Sequence, residues 1–450
     1  MTQRSHSIPP GARRSLFVYN LFFPLVFLAL LPGIALRMFR RGGFRENFGQ
    51  RLGRYSPEVR RRFASGRWWW IHSISVGETL IALKFVQELH RRDPSLRCVI
   101  TVTTSTGLAL ARDARTDWLE VLYNPIDSRA IVCQALDLIR PERLVLVEGE
   151  AWPNLLAACR TRGIPVALIN ARLSPRSERR FLRARFWIVP LFNLIDLVCV
   201  PDEADIGRWQ RLGLSMARLQ LTGSIKFDTA QAEAPRRTEE FHTLLRSIGV
   251  DKDRPILLAG STWSPEERIL GELFVTLRRE FSRLFLVIVP RHIERTADIL
   301  HELAPLNLRI RRRTMLPIDP PGVCDVLLVD TTGELREWYA LATVVFVGKS
   351  LPGIAQIGGQ NPAEPATLGK AIIAGPHMEN FAAVVQHLRE QRGLISVTDP
   401  ASLLSELQNL LRNPTELETI GQHGLAALSI HRGATERTAS LLITPAPPGR

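Results

Sequence analysis

Cysteine is scarce in this chain and never closely paired. The 450 residues hold five cysteines (Cys98, Cys133, Cys159, Cys199 and Cys324), with no C-x-x-C among them. That spacing excludes a disulfide scaffold and a zinc finger or ribbon. Apolar settings such as "LVCV" suit reduced thiols in the core of a cytoplasmic domain. Neither G-x-G-x-x-G nor G-x-x-x-x-G-K-[ST] occurs, which argues against a dehydrogenase and a P-loop ATPase. An aromatic RNA-binding motif and a Lys-rich tail are also missing, so nucleic acid is not an expected partner. Acidic residues are in deficit: 44 Asp+Glu stand against 58 Lys+Arg, a net charge of +14. With nucleic acid set aside, that excess calls for anionic lipid or a phosphorylated substrate.

Long uncharged runs are equally rare, and one stands out. Ser15 to Leu36, "SLFVYNLFFPLVFLALLPGIAL", is long enough to span a bilayer. No A-x-A-like cleavage site comes after it, which disfavours a signal peptide. Arg37, Arg40, Arg41, Arg45, Arg51 and Arg54 come next and favour a cytoplasmic location for the rest of the chain. Arg13 and Arg14 on the other flank, with Pro24 and Pro32 inside, leave room for a helix lying in the interface.

After this segment, short Val/Ile/Leu-rich runs alternate with amphipathic stretches. "WWWIHSIS", "RCVITVTT", "RLVLVE", "VALINAR" and "DLVCVP" form one series. "PILLAGST", "RLFLVIVPRH", "VLLVDTT", "VVFVGKS" and "AIIAGPH" form a second. Two parallel sheets with crossover helices are expected, split by the polar stretch "GSIKFDTAQAEAPRRTEE". The predicted organisation is an anchor with basic flank over 1–45, a first Rossmann-like domain over 46–228, a linker over 229–240 and a second domain over 241–450. In such sheets ligands collect beyond the carboxyl ends of strands, so the polar strand ends are the candidate sites.

Glu78 follows "ISVG" at a strand-to-helix turn. There a carboxylate kept ionised by the helix start can accept a proton from a hydroxyl, or simply cap the helix. "LVLVEGEAWPN" places Glu148 and Glu150 beyond a buried strand; "INARLSPRS" supplies Asn170, Arg172 and Ser174, and "GSIKFD" supplies Lys226. In the second series, Gly260, Ser261 and Thr262 form an anion cradle before a helix. Ser264 and Glu267 read as a capping box there, with Pro265 at N1. Arg291 and His292 end the next strand; Gly333 and Glu334 open a helix. "GGQNPAEPA" offers Gly358, Gly359, Asn361 and Glu364, a carboxylate placed to hold ribose hydroxyls. The basic, aromatic stretch "RSERRFLRARFWIVPLF" sets Arg179, Arg180, Arg183 and Arg185 beside Phe181, Phe186 and Trp187. It suits anionic lipid or an acceptor's phosphates, and an ordinary basic helix is its plain alternative.

In order, "HSISVGET", "TVTTSTG", "YNPID", "VEGEAWPNL", "INARLSPRS", "TGSIKFD", "AGSTWSPEE", "VPRHIER", "VDTTGEL", "FVGKS", "GGQNPAEPA" and "GPHMENF" run from Ile71 to Phe381. The set resembles the 3-deoxy-D-manno-octulosonic acid (Kdo) transferases of lipopolysaccharide synthesis. The resemblance implies a GT-B α/β fold, two Rossmann-like domains facing an interdomain cleft, with an N-terminal anchor at the inner membrane and cytoplasmic catalytic domains. It implies transfer of Kdo from CMP-Kdo to the tetra-acylated lipid A precursor (lipid IVA), inverting, releasing CMP, with no cofactor and no bound metal. By the same resemblance Glu78 is the catalytic base, and Glu148 and Lys226 stabilise the transition state. CMP contacts map onto Pro290, Arg291, Thr332, Gly333, Glu334, Asn361, Pro362, Ala363 and Glu364, joining the cradle residues Ser261 and Thr262. The chain departs from the family pattern at Trp263 (His expected), Thr332 (Met) and Lys349 (a second Gly), all on the donor side. Rival readings are a UDP-sugar transferase or sugar epimerase on the same fold, and a non-catalytic membrane scaffold.

Overall fold

A computed structural model describes residues 7–41, 47–149, 151–228, 235, 237–317 and 322–444, except the side chains of 26–28 and 30–41. Glu150, Arg45, most of the predicted linker and the last six residues lie outside that description. The chain divides into two compact units, Met1–Asp228 with Gly433–Arg450, and Thr229–Arg432.

The first unit is built on a seven-stranded parallel sheet. Its strands are β1 (Arg67–Ser73), β2 (Leu96–Val102), β3 (Leu119–Tyr123), β4 (Arg143–Val147), β5 (Val166–Ile169), β6 (Leu197–Val200) and β7 (Leu219–Leu221). The spatial order is β3-β2-β1-β4-β5-β6-β7, so the winding reverses between β1 and β4. The tryptophan run belongs to β1. Trp68 and Trp70 enter the core on one face of the sheet, while Trp69 and Ile71 enter the core on the other. A strand buried on both faces carries apolar residues facing both ways, which accounts for the unbroken apolar run Trp68–Ile71.

The second unit repeats the plan. Strands β8 (Ile256–Thr262), β9 (Phe285–Pro290), β10 (Ile310–Arg312), β11 (Val326–Leu328), β12 (Val344–Val347), β13 (Ala371–Ala374) and β14 (Ile395–Ser396) lie in the order β10-β11-β9-β8-β12-β13-β14. Here the reversal falls between β8 and β12.

Two expectations need correction. The second domain was expected to run to residue 450, but from Gly433 the chain returns to the first unit. Ala439 and Leu442 join the core around Leu89, and the Asp228 carboxylate accepts bonds from the N–H groups of Gly433 (2.9 Å) and Thr435 (2.7 Å). The N-terminal segment does form a helix, α1 (Pro10–Arg41), yet its first turns are not free for lipid. Ala12, Ser15 and Leu16 are buried, and α1 packs on the helix Arg185–Phe192. Among the described residues, no helix is long and apolar enough to cross a membrane.

Candidate functional site

The reversal between β1 and β4 gathers Glu78 and Glu148, two of the carboxylates predicted for the first unit. Beyond β1 the chain turns at Ile74–Ser75 into the helix Val76–Arg92. Ser75 caps it: its Oγ accepts from the Glu78 N–H (3.2 Å) and donates to Glu78 Oε1 (2.9 Å). The Ile74 N–H donates to Glu78 Oε2 (2.8 Å). Glu78 therefore helps cap its own helix, its backbone donor being Ile74, one residue before the cap, and it is only 8% exposed. The helix start was expected to keep it ionised. Instead, burial pushes its carboxyl above the ordinary range; the bonds from Ile74 and Ser75 oppose that rise and the nearby Glu148 carboxylate adds to it. Desolvation of the charged form outweighs the donors.

Glu148 ends β4 in the left-handed region (φ 65°), and Asn170 does the same beyond β5 (φ 51°). Neither is glycine, so each position is strained and held by its surroundings. The holding bonds are present. The Glu148 N–H donates to the Ile169 carbonyl (2.9 Å), and Asn170 Nδ2 approaches Glu148 Oε1 at 3.5 Å. Asn170 Oδ1 in turn accepts from Ser224 Oγ (3.1 Å) and the Ile225 N–H (3.0 Å), which fixes the short turn that carries Lys226. The Lys226 side chain is exposed, and its Nζ lies 3.8 Å from where a Cβ on Gly77 would stand. The ammonium thus stands beside the start of the Glu78 helix. Glu78, Glu148 and Lys226 share one neighbourhood. Ser174, by contrast, caps the helix Pro175–Arg183 through the Ser177 N–H (3.1 Å).

Three supporting groups went unread in the sequence. His72 is buried, with Nδ1 at 3.1 Å from Thr101 Oγ1, and its ring meets Trp152 edge-on at 5.2 Å. Burial pushes His72 down to about 3, so the ring is neutral at ordinary pH. Asp127 accepts from the N–H groups of Asn154 (3.0 Å) and Leu155 (2.9 Å), and so holds the start of the helix Pro153–Thr161. Burial lifts its carboxyl to about 6 against those bonds and that of Tyr19. Asn20 of α1 exchanges a reciprocal amide pair with Asn154 (3.0 and 2.8 Å). The residues of "YNPID" and "AWPNL" are thereby tied to α1, a contact spanning more than a hundred residues that no local pattern announces.

On the helix Pro175–Arg183, Arg176, Arg179, Arg180 and Arg183, with Ser174 and Ser177, line a cavity of about 820 Å³. Four guanidinium groups around one space suit a multiply charged anion.

In the second unit the predicted residues again sit at strand ends, but several side chains are committed elsewhere. Ser261 is buried at φ 55°. Thr262 Oγ1 donates to Glu267 Oε1 (2.9 Å), which also takes Arg295 Nη1 (2.8 Å). The capping box expected of Ser264 and Glu267 is absent. The helix starts at Glu266 with Pro265 before it and no side-chain cap, because both glutamates turn to other partners. Glu334 is likewise forked by Arg313 (3.0 Å twice) and accepts from Thr331 Oγ1 (2.7 Å), which leaves its backbone, with exposed Thr332 and Gly333, as the accessible part. Pro290 closes β9, and Arg291 beyond it is exposed. Asn361 Oδ1 accepts from the Ala363 N–H (3.1 Å) and its Nδ2 reaches Glu364 Oε1 (3.3 Å); this rigid loop of Asn361, Pro362, Ala363 and Glu364 opens the short helix Ala363–Ala366. Among the described residues, no three His, Cys, Asp or Glu side chains are grouped to hold a metal ion.

Residues 46–229 match the family model described as 3-deoxy-D-manno-octulosonic-acid transferase (kdotransferase). The 3-deoxy-D-manno-octulosonic acid transferase of Haemophilus influenzae is 31% identical over 374 residues, 83% of this chain and 86% of that protein. The enzyme of the same name from Bordetella pertussis is 31% identical over 437 residues, 93% of this chain and 98% of that protein. This chain belongs to the Kdo transferase family. It is therefore a glycosyltransferase. The solved C-terminal CMP-Kdo binding domain of WaaA from Acinetobacter baumannii is 28% identical, covering 42% of this chain and 97% of that one, with a TM-score of 0.39. That likeness is too loose to place residues. Membership in the Kdo transferase family sets aside the epimerase reading, and the first unit shows how three of the motifs are built. The S-V-G-E glutamate is a buried cap, the E-G-E strand end is strained, and the S-I-K-F turn is held by the asparagine of "INAR".

Proposed function

We propose that this Kdo transferase moves Kdo from CMP-Kdo to a hydroxyl of the tetra-acylated lipid A precursor (lipid IVA), releasing CMP with inversion, in lipopolysaccharide biosynthesis. The observation that carries this reading is the meeting of Glu78, Glu148 and Lys226 around the reversal of the first sheet, where parallel α/β sheets bind their ligands. Glu78, with its carboxyl raised by burial, is the general base, since a base is most effective with a pKa nearer the working pH. It takes the proton of the acceptor hydroxyl as that oxygen bonds to the anomeric carbon. The bond from that carbon to the phosphate oxygen breaks, and CMP leaves with the electron pair. Glu148 and Lys226 stabilise the charges that develop in the transition state. The donor is held by Ser261, Thr262, Pro290, Arg291, Thr332, Gly333, Glu334, Asn361, Pro362, Ala363 and Glu364. Thr262 and Glu334 act through the backbone, because their side chains are taken. The scheme uses no metal and no cofactor.

The acceptor's phosphates enter the arginine cavity, and the enzyme works at the cytoplasmic face of the inner membrane. Support for that location comes from α1, whose Phe17, Leu21, Phe22 and Leu25 are exposed, and from exposed Phe186 and Trp187 on the helix packed beside it. With its first turns held by the protein, α1 is the N-terminal anchor and lies in the interface with this apolar face toward lipid.

The test is transfer in vitro from CMP-Kdo to lipid IVA in the presence of EDTA, comparing wild type with Glu78→Gln. Wild type is expected to turn over, and the variant to lose about 10²–10⁴-fold in rate. Full activity in the variant would remove the base; no transfer by a folded, CMP-binding wild type would remove the acceptor.

A further inference from the structure

The reversal of the second sheet lies between β8 and β12, and the residues just beyond those two strands are Trp263 and Lys349. Lys349 Nζ stands 4.4 Å from the Trp263 ring centroid, and the His292 ring meets the indole edge-on at 5.0 Å. The ammonium is thus placed by the π-face of the indole.

The backbone beneath this pair is built to hold it. Glu266 is fully buried, and its Oε2 accepts from both the Trp263 N–H (3.0 Å) and the Lys349 N–H (2.7 Å). Its Oε1 accepts from the N–H groups of Ser350 (2.9 Å) and Leu351 (3.1 Å). One carboxylate therefore clamps the ends of the two strands that flank the reversal. Lys349 adopts φ 58°, and its carbonyl accepts from the Gly359 N–H (3.0 Å), which joins the pair to the loop leading to Asn361. Two groups remain unused there. Among the described residues the Lys349 ammonium is in no ion pair, and Trp263 Nε1–H is buried without an acceptor. A positioned cation at a sheet reversal, where parallel sheets bind their ligands, calls for an anion.

We propose that Lys349 and Trp263 form an anion clamp for the phosphate of the nucleotide donor, the ammonium binding a phosphate oxygen and the indole ring fixing where that ammonium stands. This deepens the proposed donor reading and rests on it. Lys349 contacts the ligand; Trp263 acts chiefly through Lys349 and is a positioning residue. Glu266 holds the backbone of both.

Calorimetric titration of the full chain with CMP and with cytidine tests the assignment. Lys349→Gln is expected to weaken CMP binding about tenfold, the scale of one charge-assisted contact, and to leave cytidine binding unchanged. Lys349→Arg should retain most of the CMP affinity. Trp263→Ala should weaken CMP as much as Lys349→Gln does, and the double variant should lose little more, because the second change removes a contact already lost. Lys349→Gln alters a partly exposed side chain, so an unchanged circular dichroism spectrum and melting temperature are expected to accompany the loss. CMP binding that is tight in wild type and indifferent to Lys349→Gln and Trp263→Ala overturns the clamp and leaves the donor reading standing. Equal weakening of cytidine and CMP by Lys349→Gln overturns it too, since the lysine would then not be reading phosphate. A wild type that binds no CMP removes the donor reading and the clamp with it.

Discussion

Both oxygens of Glu78 are engaged by the turn before its helix, yet each carboxylate oxygen offers more than one acceptor site, so capping and proton transfer are compatible. The reaction needs the ionised form, and burial favours the neutral one. The acid limb of kcat/KM should therefore lie above the ordinary glutamate range, with activity lost as pH falls through the raised pKa. The neighbouring Glu148 charge adds to that rise; Glu148→Gln should shift the limb to lower pH while reducing the rate. A limb unmoved by Glu148→Gln would uncouple the two carboxylates. His72 gives the opposite sign in stability. Its pKa falls from 6.5 to about 3 on burial, so the unfolded chain binds a proton that the native one refuses. Stability present above pH 6.5 is lost as pH drops toward 3, by at most about 1.4 kcal/mol per unit. Between pH 7 and 5 the expected loss is about 2 kcal/mol. Urea midpoints at the two pH values should show it in wild type and not in His72→Gln; parallel slopes would clear His72 of the effect.

At the scale of elements, α1 shows how composition and contact can disagree. Its sequence is that of an anchor, but Ala12 and Leu16 belong to the core of the first unit, and Asn20 is bonded to Asn154. Asn154 also donates through Nδ2 to the Asp127 carbonyl (2.7 Å). Asn154→Ala should cost about 1–3 kcal/mol through the partners it strands. Combined with Asn20→Ala, the two losses should be non-additive by about 0.5 kcal/mol or more, as for residues in one hydrogen-bonded group. Thermal and urea unfolding of the four proteins in the cycle would decide it, and strict additivity would mean that the amide pair does not hold α1. The helix Val76–Arg92 is the converse case. A capping role for Glu78 was legible in "SVGE", because an acidic residue in the first turn of a helix is a local signal.

For the whole molecule, the two sheets share a plan, and in each the candidate residues lie at or beyond the carboxyl ends of strands. The chain crosses from the first unit to the second and comes back. Residues from Gly433 close the first unit through Asp228, and Arg92 Nη1 donates to Ser440 Oγ (2.7 Å). A chain ending at Arg432 should lose stability in the first unit alone. Limited proteolysis should then cut within 47–228 at lower protease concentration than in the full chain, while 237–432 survives unchanged. Equal resistance of both units would show the return helix to be dispensable.

Alternating apolar runs and their small polar ends were enough to announce two parallel sheets, and a dozen short motifs were enough to announce the family. Both are local signals: strand burial repeats every residue or two, and a motif occupies a few positions. What folding alone decided depends on residues far apart in the chain. Burial, not the helix start, sets the proton affinity of Glu78. Arg313 takes the carboxylate of Glu334, Asn154 claims a turn of α1, and the C-terminal helix joins the first unit. Trp263 and Lys349, 86 positions apart in sequence numbering, become partners because β8 and β12 lie side by side. Desolvation and hydrogen bonding are set by what surrounds a group in space, and for these residues that surrounding is assembled only by the tertiary fold.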